Sequence, residues 1–232
     1  MTKDQDTLPH LRTTQCFSTP SIELEVCGRA WKLARPADLE TLWAQMGENA
    51  WDEDERLPYW AELWPASIAL CSWLFRMREA IHGRICVDMG CGLGLTALLA
   101  QWLGARVLAM DYEPEALLYA RENAAHNAVD SPLWTVMDWR RPAFAPQSVQ
   151  YLWGGDIMYE ARFASPLLDV MEYALAPGGR AWMAEPCRSV YDAFRSALDA
   201  REWTGRCVYE QSVDALHVWP APVTVRVWEV TR

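Results

Sequence analysis

From about residue 60 onward, short apolar runs alternate with stretches whose apolar residues recur at helical spacing. Pro65 can begin a helix, and Ile68 to Phe75 is apolar almost all round, as suits a helix packed into a core. Ile85 to Val87 reads as a buried parallel strand that meets Asp88 and then a tight turn through Gly90, Gly92 and Gly94. Leu95 to Leu103, closed by Gly104, is the next helix, and Ala105 to Met110 is a second strand ending in Asp111. The alternation continues with a helix over Pro114 to Asn127, a strand over Leu133 to Met137, a loop over Arg140 to Gln147 and a fourth strand over Val149 to Trp153. Ser165 is a candidate cap for a helix from Pro166 to about Leu175, and Pro177-Gly178-Gly179 turns into a fifth strand, Arg180 to Ala184. Val190 to Ala200 reads as a helix with Ser189 as cap; Cys207 to Gln211 and Val223 to Val230 can then close the sheet as an antiparallel hairpin.

Ahead of this pattern the chain reads differently. Residues 1 to about 20 show no sustained periodicity and predict a loose arm. Ile22, Leu24 and Val26 alternate with polar partners, Cys27-Gly28-Arg29 can turn, and Ala30 to Leu33 can return as a second strand. Pro36 to Met46 predicts a short helix, and Glu48 to Arg56 an acidic, solvated loop. The expected fold class is therefore α/β: a doubly wound, Rossmann-like, seven-stranded sheet with a terminal antiparallel β-hairpin, plus a small N-terminal hairpin and helix extension. The division expected is residues 1–57 for the extension and 58–232 for the main domain.

Strand, glycine turn, helix, strand, acid is a nucleotide-binding unit, and the acids decide which nucleotide. A dinucleotide would place its pyrophosphate at the helix N-terminus, where Asp88, two residues before the first glycine, would repel it. Asp88 suits a ligand with a cationic amino group, as in the methionine part of S-adenosylmethionine, and Asp111 can accept both ribose hydroxyls. The plainer alternative is that the glycines only serve a sharp turn. Two tryptophans and a carboxylate precede the Pro65 helix: Trp64 can cover a cofactor and Glu62 can face its positive charge, or Trp60 and Trp64 are ordinary core or surface aromatics in a chain with 14 tryptophans. After the third strand, Asp138 and Trp139 would lie beside an adenine, one accepting from its amine and the other stacking.

Composition narrows the partners. A net charge of -10 argues against nucleic acid, which needs a basic footprint, and tolerates a basic substrate; it also simply keeps a protein soluble. Although 51% of the residues are hydrophobic, no apolar run approaches the about 20 residues that span a bilayer, so no membrane partner is expected. The opening segment lacks the apolar core of a signal peptide, which makes the cytoplasm the expected compartment. Seven cysteines without a paired framework fit reduced thiols, and with four scattered histidines no metal site is expected.

With DMGCGLG, the acid ending the second strand, APGG before the fifth and the terminal hairpin, the chain from about Trp60 resembles the seven-strand class I methyltransferases. More narrowly it is similar to methyltransferase family 16, which contains many protein-lysine methyltransferases, through ELWPAS before the first strand, MDW after the third and DIMY after the fourth. The resemblance implies S-adenosylmethionine as cofactor and its demethylated form, S-adenosylhomocysteine, as product. It implies that Trp64 contacts the cofactor, that Asp88, Gly90 and Asp111 bind its methionine and ribose parts with Gly92 and Gly94 in the same turn, and that Asp138 and Trp139 frame adenine. Asp156 and Tyr159 match the family's D-x-x-Y/F motif beside the methyl-accepting amine, where Asp156 also borders the cofactor.

On that reading Asp156 orients the amine and Tyr159 packs along the incoming chain or stabilises its charge by a cation–π contact. Alternatively, Tyr159 is a buried residue after a core strand and Asp156 caps the next helix. Three functions stay open: a protein-lysine methyltransferase, a small-molecule N-methyltransferase acting on an amine or heterocycle, and a cofactor-binding interaction protein without turnover. An open acidic rim around the D-x-x-Y segment would favour a protein substrate.

Overall fold

The structure, a computed structural model, describes residues 20–37, 41–42, 58–214 and 221–232. The arm expected over residues 1 to 20, the helix over Pro36 to Met46, the acidic loop Glu48 to Arg56 and much of the loop before Pro222 lie wholly or mostly outside the described residues.

Seven strands form the main sheet: β3 (Ile85–Met89), β4 (Arg106–Asp111), β5 (Leu133–Val136), β6 (Val149–Gly155), β7 (Leu175–Glu185), β8 (Thr204–Val213) and β9 (Val223–Thr231). Their order is β5-β4-β3-β6-β7-β9-β8, with the first five parallel and β9 antiparallel to both of its neighbours. Parallel strands covered on both faces need apolar residues at successive positions, and the central strands supply them. Trp153 and Trp182 face a layer with α1 (Pro65–Arg76), α3 (Leu95–Trp102) and α4 (Pro114–His126). Leu152 and Met183, one position away, face α5 (Ala164–Ala174) and α6 (Tyr191–Ala200). A short α2 (Arg78–Ile81) follows α1. From β3 the chain first winds outward to β4 and β5, then crosses back to β6, so the strand order reverses between β3 and β6. Ligands of such sheets bind at that reversal, outside the carboxyl ends of the strands.

The N-terminal hairpin is β1 (Ser21–Val26) and β2 (Arg29–Ala34), joined by Cys27 and Gly28, both at positive φ as a two-residue hairpin turn requires. Its open edge is satisfied by α4. The Asn123 carboxamide bonds the backbone N–H (2.6 Å) and carbonyl (3.2 Å) of Ala34, and Asn127, one turn on, does the same for Lys32 at 2.9 and 2.7 Å. Two side chains at helical spacing thus stand in for a third strand. Arg35, just past β2, forms a buried ion pair with Glu62, so the carboxylate expected to face a cofactor holds the hairpin instead. Removing one partner of such a pair costs about 3–5 kcal/mol, because the other charge stays buried.

Several boundaries differ from expectation. α5 begins at Ala164, two residues before Pro166, and Ser165 makes no capping bond; its hydroxyl accepts from Arg201 at 2.7 Å. α6 likewise has no side-chain cap, and it is the carbonyl of Ser189 that accepts from Asp192 at 3.0 Å. Pro177-Gly178-Gly179 does not precede the fifth strand as a turn but bulges within β7, where Leu175 pairs with Val149 and Arg180 already pairs with Tyr151. β6 runs through Gly154 and Gly155, which still pair with Met183 and Ala184. Among the described residues no helix is long and apolar enough to cross a membrane, and no cluster of His, Cys, Asp and Glu is placed to hold a metal.

Candidate active site

The turn from β3 into α3 takes its shape from close approach. Gly90 and Gly92 sit at φ of 65° and 50°, in the left-handed region that side chains rarely adopt. A Cβ on Gly90 would lie 2.8 Å from Cγ2 of Ile157, and one on Gly92 would lie 3.2 Å from the carbonyl oxygen of Trp60. Gly94, at φ 89°, then starts α3. The turn is therefore clamped between the segment before α1 and the segment after β6, and any side chain there would push one of them away.

Two carboxylates flank it. Asp88 is buried beneath the first turn of α3, where its Oδ2 accepts the Thr96 hydroxyl at 2.5 Å. Burial raises its pKa to about 7, against the pull of that hydroxyl and of the Ala97 N–H at the helix start. Asp111, at the end of β4, accepts the Gly92 N–H on Oδ2 (2.9 Å) and the Glu113 N–H on Oδ1 (3.0 Å). Burial raises its pKa too, and these backbone donors oppose the rise. Both predicted acids thus reach the turn, and both already hold it together. Their chemistry fits an adenosyl ligand with an amino group: ionised, they attract a cation, and Asp111 keeps lone pairs for hydroxyls, whereas a pyrophosphate would meet two buried acids.

Asp138 and Trp139 diverge. Both carboxylate oxygens of Asp138 accept from the guanidinium Nε of Arg140, at 3.0 and 2.9 Å. Partial burial raises its pKa, but the Arg140 bonds outweigh this and leave it below the ordinary carboxylate value. Together with Tyr112, Arg140 and Arg141 it lines a depression of about 420 Å³. Trp139 turns inward, with its ring 4.0 Å from the Cβ position of Gly90 and edge-on to Phe163 at 5.7 Å.

On the other side of the reversal lies Asp156, at φ 55° and 9% exposed. Its N–H bonds Ala184 at 2.8 Å, extending the β6–β7 pairing by one step. Burial raises its pKa to about 6; Arg188, whose Nη2 donates to Oδ2 at 3.1 Å, pulls it down, and Glu185 pushes it up. Tyr159 is 37% exposed, and burial raises its hydroxyl to about 12. Its ring contacts Tyr59 edge-on at 5.3 Å and Phe163 at 5.0 Å. Tyr59 in turn meets Trp64 at 5.7 Å and accepts the Trp64 indole N–H on its carbonyl oxygen at 2.8 Å. The result is a continuous row of aromatic rings from Trp64 through Tyr59, Tyr159 and Phe163 to Trp139.

Within this arrangement Trp64 lies near Asp156, with the Arg188 guanidinium 5.9 Å from its ring, and it is Trp60 that presses its backbone on the glycine turn. Sequence reasoning missed Tyr59, Phe163, Glu185 and Arg188. The first lies inside the aromatic-rich segment already marked, and the second four residues after Tyr159. The two charged residues carry no local pattern that would single them out.

Residues 86–179, from β3 through the bulge of β7, match the model of a methyltransferase domain. The chain is 35% identical to a ribosomal protein L11 methyltransferase of Xanthomonas oryzae over 48% of its own length and 35% of that protein's. It is 29% identical to the electron transfer flavoprotein beta subunit lysine methyltransferase of Xenopus laevis, over 80% of this chain and 71% of that one. The L11 match thus spans about a third of that relative's length. Among solved structures, magnesium protoporphyrin IX methyltransferase from Synechocystis, with bound S-adenosylmethionine, superposes with a TM-score of 0.57 at 15% identity, covering 81% of this chain and 86% of that one.

Proposed function

We propose, from the premise that this chain belongs to the class I S-adenosylmethionine-dependent methyltransferases, that it moves the methyl group of S-adenosylmethionine to the side-chain amine of a lysine on a protein partner. One observation carries the reading. Ile157, inside the Asp156–Tyr159 segment, packs directly on Gly90 of the turn, so a group held by that segment is held beside the turn that would carry the donor.

In this reading Asp88, Asp111 and the turn from Gly90 to Gly94 hold the amino-acid and ribose parts of the cofactor, and Trp139 and Asp138 border its base. When bound, the cofactor supplies an electrophilic methyl on a sulfonium sulfur. The chain's own residues align the acceptor, which is where much of the rate of an in-line displacement originates. Asp156 accepts a hydrogen bond from the acceptor nitrogen and fixes its lone pair toward the turn. Tyr159, flanked by Tyr59 and Phe163, lines the path of an unbranched alkyl chain and stabilises its positive end. A lysine amine, ordinarily of pKa about 10.4, must lose a proton before it attacks, and a carboxylate of raised pKa is suited to receive it.

The lysine acceptor is supported by the likeness to a protein named as a lysine methyltransferase. A small-molecule acceptor is favoured by a different observation: the rim is not uniformly acidic, since Glu160 pairs with Arg162 at 2.8 Å and Asp138 with Arg140. Labelled methyl transfer from the cofactor into a lysate of the native organism, separated by size, tests the choice. Label in protein, lost on Asp156→Ala, is the expected result; label confined to small molecules transfers the reading to a small amine or heterocycle, and cofactor binding without label leaves an interaction protein.

A further inference from the structure

Asp156 is a buried carboxylate with one cation against it, and that cation comes from a distant part of the chain. Arg188 lies on the loop between β7 and α6, 32 residues on, and its side chain is 35% exposed while that of Asp156 is 5% exposed. The arginine is itself held. Its backbone N–H donates to Oε2 of Glu185 at 3.1 Å, and the other Glu185 oxygen accepts the indole N–H of Trp228 in β9 at 3.0 Å. Both loops joined by the ion pair pass through a left-handed non-glycine residue, Asp156 itself at φ 55° and Cys187, just before Arg188, at φ 56°. Such backbone persists where surrounding bonds over-determine it, and it clusters at functional sites. The guanidinium also lies over the Trp64 ring.

We propose that Arg188 is a positioning residue for Asp156: held in place by Glu185, it compensates the buried charge and aims the carboxylate's free oxygen at the acceptor. The proposal rests on the reading of Asp156 as the acceptor-binding group. The charges acting on Asp156 are Arg188, which favours its ionised form, and Glu185 at the end of β7, which opposes it. From the side of α1, Ser67 lies against Gly155 and the Trp64 ring lies beneath the guanidinium. With Arg188 absent, burial and Glu185 would act on Asp156 unopposed. The carboxyl would then hold its proton to higher pH, and while protonated it could not take one from an amine.

The test reads Asp156 itself, in the full chain without ligand. Carboxyl carbon-13 resonances of labelled aspartate are followed against pH, with Asp156 assigned by its loss in Asp156→Asn. Arg188→Gln is expected to raise the Asp156 midpoint by about one unit or more, the size of effect an adjacent opposite charge exerts. Arg188→Lys should restore most of the shift, and Glu185→Gln should move the midpoint down. A purely structural tie between the loops would not produce shifts of opposite sign. In turnover, the acidic limb of kcat/KM should rise with Arg188→Gln while the Kd of S-adenosylhomocysteine stays within about twofold. Unchanged midpoints in Arg188→Gln and Glu185→Gln overturn the proposal; if Arg188→Gln does not fold, an unchanged midpoint in Glu185→Gln overturns it alone. Full turnover in Asp156→Ala would instead remove the underlying reading while leaving the measured coupling in place.

Discussion

The glycine turn and the Asp156–Tyr159 segment face one another across the strand reversal, and they are built by different means. The turn is backbone architecture: three left-handed glycines, two strand-end carboxylates and the N-terminus of α3, all within residues 88 to 111. The facing side is assembled from side chains that arrive from far apart, with Tyr59 and Trp64 before α1, Asp156, Tyr159 and Phe163 after β6, and Arg188 after β7. A side made of local backbone, pressed by Trp60 and Ile157, leaves almost no room for substitution. A side made of converging side chains can change by exchange of one ring or one charge while the turn stays intact.

The strongest way to break this contrast is at the point where the two sides touch. Gly90→Val adds a branched side chain at φ 65° against Ile157, combining left-handed strain with a clash, so calorimetry should find cofactor affinity down by well over tenfold and turnover gone. Retained binding would mean that the turn yields more easily than its contacts indicate. Next comes Asp156→Ala, expected to lower kcat by about 10²-fold or more with the cofactor Kd nearly unchanged; a parallel loss of both would move Asp156 to the donor side. Asp111→Ala should show the opposite split. Two charge-assisted hydrogen bonds contribute about 1.5–3 kcal/mol each, so the Kd should weaken at least tenfold.

A finer distinction separates ring from hydroxyl at Tyr159. Because the hydroxyl is pushed up to about 12, it stays protonated near neutral pH and is no base there. Tyr159→Phe should therefore cost only a few-fold in turnover and Tyr159→Ala far more; equal losses would assign the work to the hydroxyl. The smallest effect expected is thermal. Asp88 at about 7 and Asp156 at about 6 both lie above the unfolded carboxyl value, so the folded protein binds more protons than the unfolded one between about pH 4 and 7. Their contribution to stability is most favourable on the acid side of that window and declines as pH rises through it. Melting curves of the ligand-free protein should accordingly show Tm falling by a few degrees from pH 5 to pH 8, and a rise over that range would contradict the burial of these two groups.

Local pattern alone carried the alternation of strands and helices, the terminal and N-terminal hairpins, and the acids around the glycine turn. These features are short-range: a period of two or 3.6, a proline at a helix start, a glycine where only left-handed backbone fits. Three expectations failed because a nearby residue met a partner that pattern cannot show. Glu62 found Arg35 and was taken into the core, the hydroxyl of Ser165 turned to Arg201 instead of capping α5, and Pro177-Gly178-Gly179 was absorbed into β7 as a bulge because Val149 and Tyr151 hold the strand on either side.

The same physics divides the site. Asp88, Asp111 and the glycines were readable because the chemistry of the turn is set by neighbours within about 20 residues, so their spacing carries the geometry. Asp156 and Tyr159 were readable as a short motif, but the state of that carboxylate was not, since it is set by burial at the end of the central strand β6 and by Arg188 from another loop. The aromatic row and the clamp of Trp60 on Gly92 depend on how separate segments pack at the strand ends. Electrostatics and van der Waals contact act through distance in space, and residues 59 and 159 become neighbours only once the chain has folded.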